Sequence, residues 1–419
     1  MRALRSIKAS GDPRPYLFVV ACALRLAWQL HVGFYEDPRT WEYDGIARNL
    51  LTGAGYTYPF LGVDWITFGT PGYPVVLAIL HWLSGGPDRY LLVGVAQVVM
   101  SASLALVAWS LAIRLTGRTA AAIACIVVAV HPALILYAAE VHELTFESLL
   151  AGLVLIGVID AVHDTSLKHA IRVGVVAGVT ALTRPTLALF AALGIAALTL
   201  RRPRTPRLIS LVLLLALAAP WTIRNAVALG GAGASSPLNC VTLWMGNNPR
   251  SGGGLLDTAG KSVLETMPDD LRRRVEGMPE SVQGSVFCQE ALSFISEDPG
   301  RAARWWATKF AYFWWFSPSA GALYPPGWID VYRGLYAIEA VLAVLGVVAV
   351  WRHGPRMSLG LVALELLVVS AAQSVFYVEG RHRLLLEPTI AALAAAGLVS
   401  AVASWPRPRA EPIATLPSS

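Results

Sequence analysis

Charge is what this chain has least of. Its 419 residues hold 33 Lys and Arg against 27 Asp and Glu, only 14% charged, while 55% are hydrophobic and the mean hydropathy is +0.56. So little surface charge excludes a soluble globular protein of this length. Cysteine is scarce too, with four. Cys22 and Cys125 lie inside apolar runs, whereas Cys240 and Cys288 share one polar loop and are the pair placed to bond; two free thiols is the alternative. A second histidine is missing where His142-Glu143 opens a zinc-protease pattern, because Phe146 stands in its place, so no metal ligand set is assigned. The stretch 254–262 has five residues where a phosphate-binding P-loop has four, and Gly53 and Gly55 lack the third glycine of a dinucleotide fingerprint. No nucleotide site is expected. The net charge of +6 sits in short clusters between apolar runs rather than on one soluble face, which also excludes a nucleic-acid partner.

What is abundant is apolar runs. Judged against the roughly 20 residues a bilayer demands, candidate spans are 15–33, 90–113, 119–139, 143–160, 170–183, 185–200, 207–228, 331–351, 357–378 and 384–403. The fold class expected is therefore an all-α polytopic membrane protein with about ten transmembrane helices. The Arg-rich start (Arg2, Arg5, Lys8, Arg14) resembles a signal peptide, but Arg25 interrupts the apolar core and no cleavage site follows, so this is read as the first span. Basic connections alternate along the chain: the N-terminus, Arg114 with Arg118, Lys168 with Arg172, Arg201 to Arg207, Arg352 with Arg356, and Arg407 with Arg409. Retention of basic loops puts these in the cytoplasm, both termini included, and leaves 36–44, 140–143, 229–330 and 379–383 on the external face of an inner or plasma membrane. The short run 74–83 and the Trp-rich 305–316 read as interfacial helices. Three regions follow: an N-terminal transmembrane module (1–228), an external segment (229–330) with an amphipathic helix near 279–297, and C-terminal transmembrane helices (331–419).

Polar residues that could carry chemistry fall in three external groups. The first loop packs Glu36, Asp37, Glu42 and Asp44 into nine positions, where a bilayer protein gains no stability from so much negative charge. The pattern EYDGIARNLLT predicts a helix over 42–52, stopped by Gly53 and Gly55 and carrying Tyr43 beside the acids. The second group is Glu140, His142, Glu143 and Glu147; Glu143 and Glu147 share a helical face. The third is Glu379-Gly380-Arg381-His382-Arg383, with Arg184 and Arg224 at other external helix ends. External arginines run against the retention rule, and an anionic phosphate at headgroup level accounts for them. Arg25, Arg333, Glu339 and Glu365 lie within apolar runs, where pairing with one another is expected.

The stretches EYDGIARNLLTGAGY, GTPGYP, HPALILYAAEVHELTFESLL, ALTRPTLALF, APWTIRNAV, WMGNNPRSGG and GRHRLLLEPTIAAL, in this order, resemble the GT-C class of polytopic glycosyltransferases. The nearest group is the bacterial family related to protein mannosyltransferases and lipid A aminoarabinose transferases. The resemblance implies inverting transfer of a sugar from a polyprenyl-phosphate donor on the external face, to a glycan, lipid or protein acceptor, among membrane lipids and without a nucleotide; a divalent metal is left open. It also implies an acid after the first helix as base and a second acid at the start of the fourth helix as its support. Glu143 matches the second. For the first, relatives carry the acid about four residues before the position of Tyr43, and Arg39 stands there, so Asp37 and Asp44 compete. Arg381, His382, Arg383 and Arg184 would hold the donor phosphate, with Glu42, Tyr43, Glu140 and His142 in support. A transporter or flippase of lipid-linked sugars, gated by Arg25, Glu339 and Glu365, is the second reading.

Overall fold

A computed structural model describes residues 12–201, 203–231, 236–321 and 327–404. Arg2, Arg5, Lys8, Arg202, Arg407 and Arg409, used above to orient the chain, lie outside them. In chain order the elements are α1 (Arg14–His31), β1 (Arg39–Thr40), α2 (Glu42–Thr52), β2 (Tyr58–Phe60), β3 (Val63–Trp65), α3 (Gly72–Leu83), α4 (Leu91–Leu115), α5 (Arg118–Ala129) and α6 (Pro132–Tyr137). Then come β4 (Glu140–Val141), α7 (Leu144–Asp160), α8 (Leu167–Ala181), α9 (Pro185–Thr199), α10 (Thr205–Ala228), α11 (Leu238–Gly246), α12 (Asp269–Val275), α13 (Glu280–Glu297) and α14 (Pro299–Trp314). The chain ends with α15 (Trp328–His353), α16 (Arg356–Gln373), a 3-10 turn (Gly380–Leu386) and α17 (Glu387–Ser404). The protein is an all-α membrane fold whose only sheet, among the described residues, is two short two-stranded ladders.

Among the described residues, five helical segments are long and apolar enough to cross a bilayer alone: Leu91–Leu115, Thr205–Ala228, Trp328–His353, Arg356–Gln373 and Gly380–Ser404. The other expected spans are present as shorter helices. The span expected over 119–139 is broken: His131 adopts an extended conformation and accepts from the Leu134 amide, Pro132 opens α6, and the chain leaves the helix before β4. Large side chains such as Val212 and Leu215 on α10, and Val331, Ile338 and Val344 on α15, are exposed along one helix face, as a lipid-facing surface requires. Where α15 and α17 cross, Gly346 and Gly397 meet the opposing backbone so closely that a side chain at either would collide with it, the small-residue contact by which membrane helices pack.

The intramembrane charges do not pair with one another as expected. Arg25 donates to Ser101 Oγ (2.7 Å) and to the carbonyls of Ala21, Val128 and Ala129, closing the gap left by the α5 break. Glu365 accepts from Thr389, and Arg333 pairs with Asp330. Arg25 and Glu365 find local partners because a lone buried charge is costly and a nearby hydroxyl or carbonyl offsets part of that cost.

The segment 229–330 is more structured than one amphipathic helix. It contributes α11, α12 and α13, and its apolar residues (Val241, Trp244, Leu271, Val275, Phe287) share a core with Ile46, Tyr56, Trp65 and Phe68 of the first loop. The Cys240–Cys288 disulfide joins α11 to α13. The buried Glu280 carboxylate accepts from the backbone of Ile66 (2.8 Å) and Thr67 (3.1 Å), and Trp65 donates to Gln283 (3.0 Å). Lys309 of α14 is buried and donates to the Gly246 and Phe376 carbonyls and to Asn247 Oδ1, tying the segment to the link before the 3-10 turn.

Candidate active site

The first loop and the second acidic group are brought together by a parallel ladder. β1 pairs with β4, Arg39 opposite Glu140 and Thr40 opposite Val141. Gln97, from α4, holds β4 from the bundle side by donating to the Glu140 carbonyl (2.7 Å) and to Tyr73 (3.0 Å). The ladder is parallel, so it sets Trp41, directly after β1, beside His142, directly after β4, with their rings 5.1 Å apart, while Asp37 precedes β1 at the other end. Asp37 itself is exposed, and its carboxylate has no partner among the described residues.

α2 starts at Trp41 in extended conformation, carries Glu42 and Asp44 in its first turn, and stops at Gly53, whose φ of 84 needs the left-handed region. The apolar side, Ile46 and Ala47, is fully buried. This rigid seating separates the two acids. Glu42 reaches solvent within a crowded recess. Asp44 points inward and is consumed: Oδ1 accepts from His81 Nε2 (2.9 Å), Oδ2 from Arg48 Nε (3.0 Å) and Tyr90 Oη (2.8 Å). At 2% exposed it ties α2 to α3 and to the start of α4.

The third group arrives from the 3-10 turn. Glu379 and His382 cap it reciprocally, the Glu379 amide donating to His382 Nδ1 at 3.2 Å. Arg381 pairs with Glu379 (3.0 Å) and its guanidinium lies 5.1 Å from the Trp41 ring, whose Nε1 donates to Glu140 (3.0 Å). Arg39 flanks the same ring at 5.7 Å and reaches Glu140 at 3.4 Å. Arg184, at the start of α9, donates to Glu147 (2.7 Å) and Gln373 (2.7 Å). Arg383 turns the other way: it stacks 3.5 Å from the Tyr336 ring centroid and donates to the Phe313 carbonyl. Thus Glu42, Tyr43, Glu140, His142, Glu143, Arg184, Arg381 and His382 converge, while Asp44 and Arg383 are occupied elsewhere.

Burial lowers the His142 pKa well below the usual histidine value, and the positive charges of Arg381 and Arg184 push the same way. With Nδ1 accepting from the Leu144 amide (3.0 Å), the neutral imidazole carries its proton on Nε2. Loss of hydration raises Glu42 above the ordinary carboxylate range; Glu143 adds to the effect and Arg381 opposes it. Tyr43 is held as a phenol by burial and by the Glu143 charge. Its ring leaves no room for a side chain at Gly69, which has φ of +67. Sequence reasoning passed over Trp41, Gln97 and Gln373; a lone indole or amide has no local signal, because its role depends on partners far along the chain.

Beside this cluster opens a cavity of ≈ 610 Å³. Its walls are apolar, including Val130, Leu136, Phe316, Ile329 and Leu384, and one end is closed by Arg39, Trp41, Glu379 and Arg381.

The family model for dolichyl-phosphate-mannose-protein mannosyltransferase matches residues 69–223, less than half of the chain. Among solved structures, the archaeal oligosaccharyltransferase AglB from Archaeoglobus fulgidus, in complex with an inhibitory peptide and a dolichol-phosphate, aligns with TM-score 0.52 at 12% identity over 92% of this chain and 50% of that one. The Archaeoglobus fulgidus oligosaccharyltransferase in complex with Zn and sulfate aligns with TM-score 0.52 at 13% identity, over 92% and 49%. This is a GT-C fold. A third GT-C structure, ArnT from Cupriavidus metallidurans bound to undecaprenyl phosphate, aligns with TM-score 0.42 at 14% identity over 92% of this chain and 78% of that one. The chain spans about half the length of the oligosaccharyltransferase it matches. No curated protein sequence matches it significantly. The GT-C likeness at this identity concerns the fold, and the chemistry has to be argued from the side chains.

Proposed function

We propose that the chain is an inverting glycosyltransferase that moves a sugar from a polyprenyl-phosphate donor to a glycan, lipid or protein hydroxyl at the external face of the membrane. The observation that carries this reading is the apolar cavity ending at Arg381 and Arg39, with the Glu42 and Glu143 carboxylates close enough for their charges to act on Arg381. A polyprenyl tail suits the apolar walls, and a phosphate suits the end where two guanidiniums flank Trp41. The family match and the dolichol-phosphate complex of AglB support a lipid-phosphate donor.

In this reading Asp37 is the base. It takes the proton of the acceptor hydroxyl as that oxygen bonds to the anomeric carbon, while the bond from the carbon to the phosphate oxygen breaks with inversion. The electron pair leaves on the phosphate, where Arg381 and Arg184 offset the charge and the neutral imidazoles of His142 and His382 add donors. Glu143 and the raised-pKa Glu42 border the sugar position and orient its hydroxyls. Arg25 and Glu365 are held in local contacts away from this path, which leaves the transporter reading without an observation in its favour.

The test is transfer of labelled sugar from a polyprenyl-phosphate donor in membranes containing the wild type or Asp37→Asn. Transfer that depends on Asp37 supports the assignment. Full activity in Asp37→Asn overturns the base, and failure of farnesyl phosphate to bind the purified protein overturns the donor class.

A further inference from the structure

Away from the external acids, three side chains meet at a buried point that the transfer chemistry does not use. His131 stands at the break between α5 and α6, Glu339 is on α15 and Glu387 opens α17, and one ligand atom from each lies within 4.8 Å of the others. Their exposures are 6%, 9% and 0%. His131 Nε2 sits 3.1 Å from Glu387 Oε1, and Oε1 of Glu339 has no hydrogen-bond partner. Arg383 faces the group, but its guanidinium is held by the rings of Tyr336, Tyr332 and Phe316 and by the Phe313 carbonyl, and it forms no ion pair with either acid. Two carboxylates buried together, with one imidazole beside them, concentrate negative charge that a cation between them would offset.

We propose that His131, Glu339 and Glu387 form a divalent metal site of the zinc or manganese class, built from one imidazole and two carboxylates. That donor set suits such ions, whose metal–ligand bonds of about 2.0–2.2 Å place neighbouring tetrahedral ligands about 3.3–3.6 Å apart. The 4.8 Å spread therefore closes with side-chain movements of about 1.2–1.5 Å. Binding is balanced in protons. Metal on Nε2 shifts the imidazole proton to Nδ1, giving up the long 3.4 Å contact from the Leu134 amide, and any carboxyl proton shared by the acids is released to solvent. The ion would join the broken span, α15 and α17 at the wall of the apolar cavity, which Pro132, Val331 and Tyr332 line. It would also fix the residue that follows the turn bearing Arg381. The proposal is independent of the glycosyl-transfer reading.

The experiment strips the purified full chain with chelator, restores Zn²⁺, Mn²⁺ or Co²⁺ alone, and measures bound metal per chain by elemental analysis together with the thermal midpoint. One tight equivalent is expected, with at least tenfold weaker binding and no metal-dependent rise in midpoint for Glu387→Gln, Glu339→Gln and His131→Gln. Co²⁺ reports the site through its visible absorption, so a variant that stays folded but loses those bands separates ligation from misfolding. Binding that is absent in the wild type, or that survives in Glu387→Gln, overturns the proposal. Metal lost in Glu42→Gln and Glu143→Gln but kept in Glu387→Gln overturns it as well, assigning the ion to the external acids.

Discussion

Replacing Asp44 and Asp37 separately distinguishes an acid that holds the fold from an acid that does chemistry. Asp44→Ala removes the acceptor of three hydrogen bonds, from His81, Arg48 and Tyr90. The Arg48 side chain is 38% exposed and regains water, so its ion pair adds little. His81 is fully buried and Tyr90 nearly so, and each is left with an unsatisfied donor costing about 1–3 kcal/mol. The expected loss is about 2–5 kcal/mol of folding stability. Asp37→Asn touches an exposed, unpartnered carboxylate, so stability should change by less than about 0.5 kcal/mol while transfer falls about 10²–10⁴-fold. Thermal unfolding in detergent and labelled-sugar transfer in membranes, run on the same preparations, separate the two. A wild-type midpoint in Asp44→Ala refutes the structural assignment; loss of transfer in a fully stable Asp44→Ala, with Asp37→Asn active, refutes the base.

Three more outcomes follow from the geometry. Arg381→Gln should weaken binding of farnesyl phosphate by about 10- to 100-fold, the worth of one charge-assisted hydrogen bond of about 1.5–3 kcal/mol, as read by titration calorimetry; unchanged affinity would remove Arg381 from the donor site. Because the Glu42 pKa is raised, its carboxylate is lost as pH falls through a value above the ordinary 4.5, so the acid limb of the transfer profile should lie above that value and move to lower pH in Glu42→Gln; an identical limb in the variant would show that Glu42 does not contribute. Cys240→Ser opens a disulfide spanning 48 residues and should cost up to about 4 kcal/mol, localised to α11 and α13 and visible as faster hydrogen exchange there; exchange indistinguishable from wild type would mean the shared core alone holds the segment.

How far the sequence could be read depended on whether a feature is local. The helix over 42–52 was legible to the residue because its acids, apolar period and Gly53 are all nearest neighbours in the chain. The break at His131-Pro132 was written in the sequence as well, but apolar residues continue on both sides and a hydropathy reading runs through it. Arg25 fills that break, and this explains why its expected acidic partners are elsewhere. Sequence reading left the choice between Asp37 and Asp44 open because the deciding contact, Asp44 with His81, lies 37 residues away. Likewise the two divergent arginines of the 3-10 turn look alike in sequence, and only packing against Tyr336 distinguishes Arg383.

The β1–β4 ladder also gives Arg39 a meaning. Relatives are expected to carry an acid at that position, and a basic residue there would disable a base. In the structure only Arg39 and Thr40 are strand, and Asp37 lies in the turn before them, its amide bonded to the Gly33 carbonyl (3.0 Å). Arg39 lines the apolar cavity beside Arg381, on the side where a phosphate fits. The ladder fixes Arg39 against Glu140, so a guanidinium rather than an acid stands at this position, beside Arg381 at the end of the cavity.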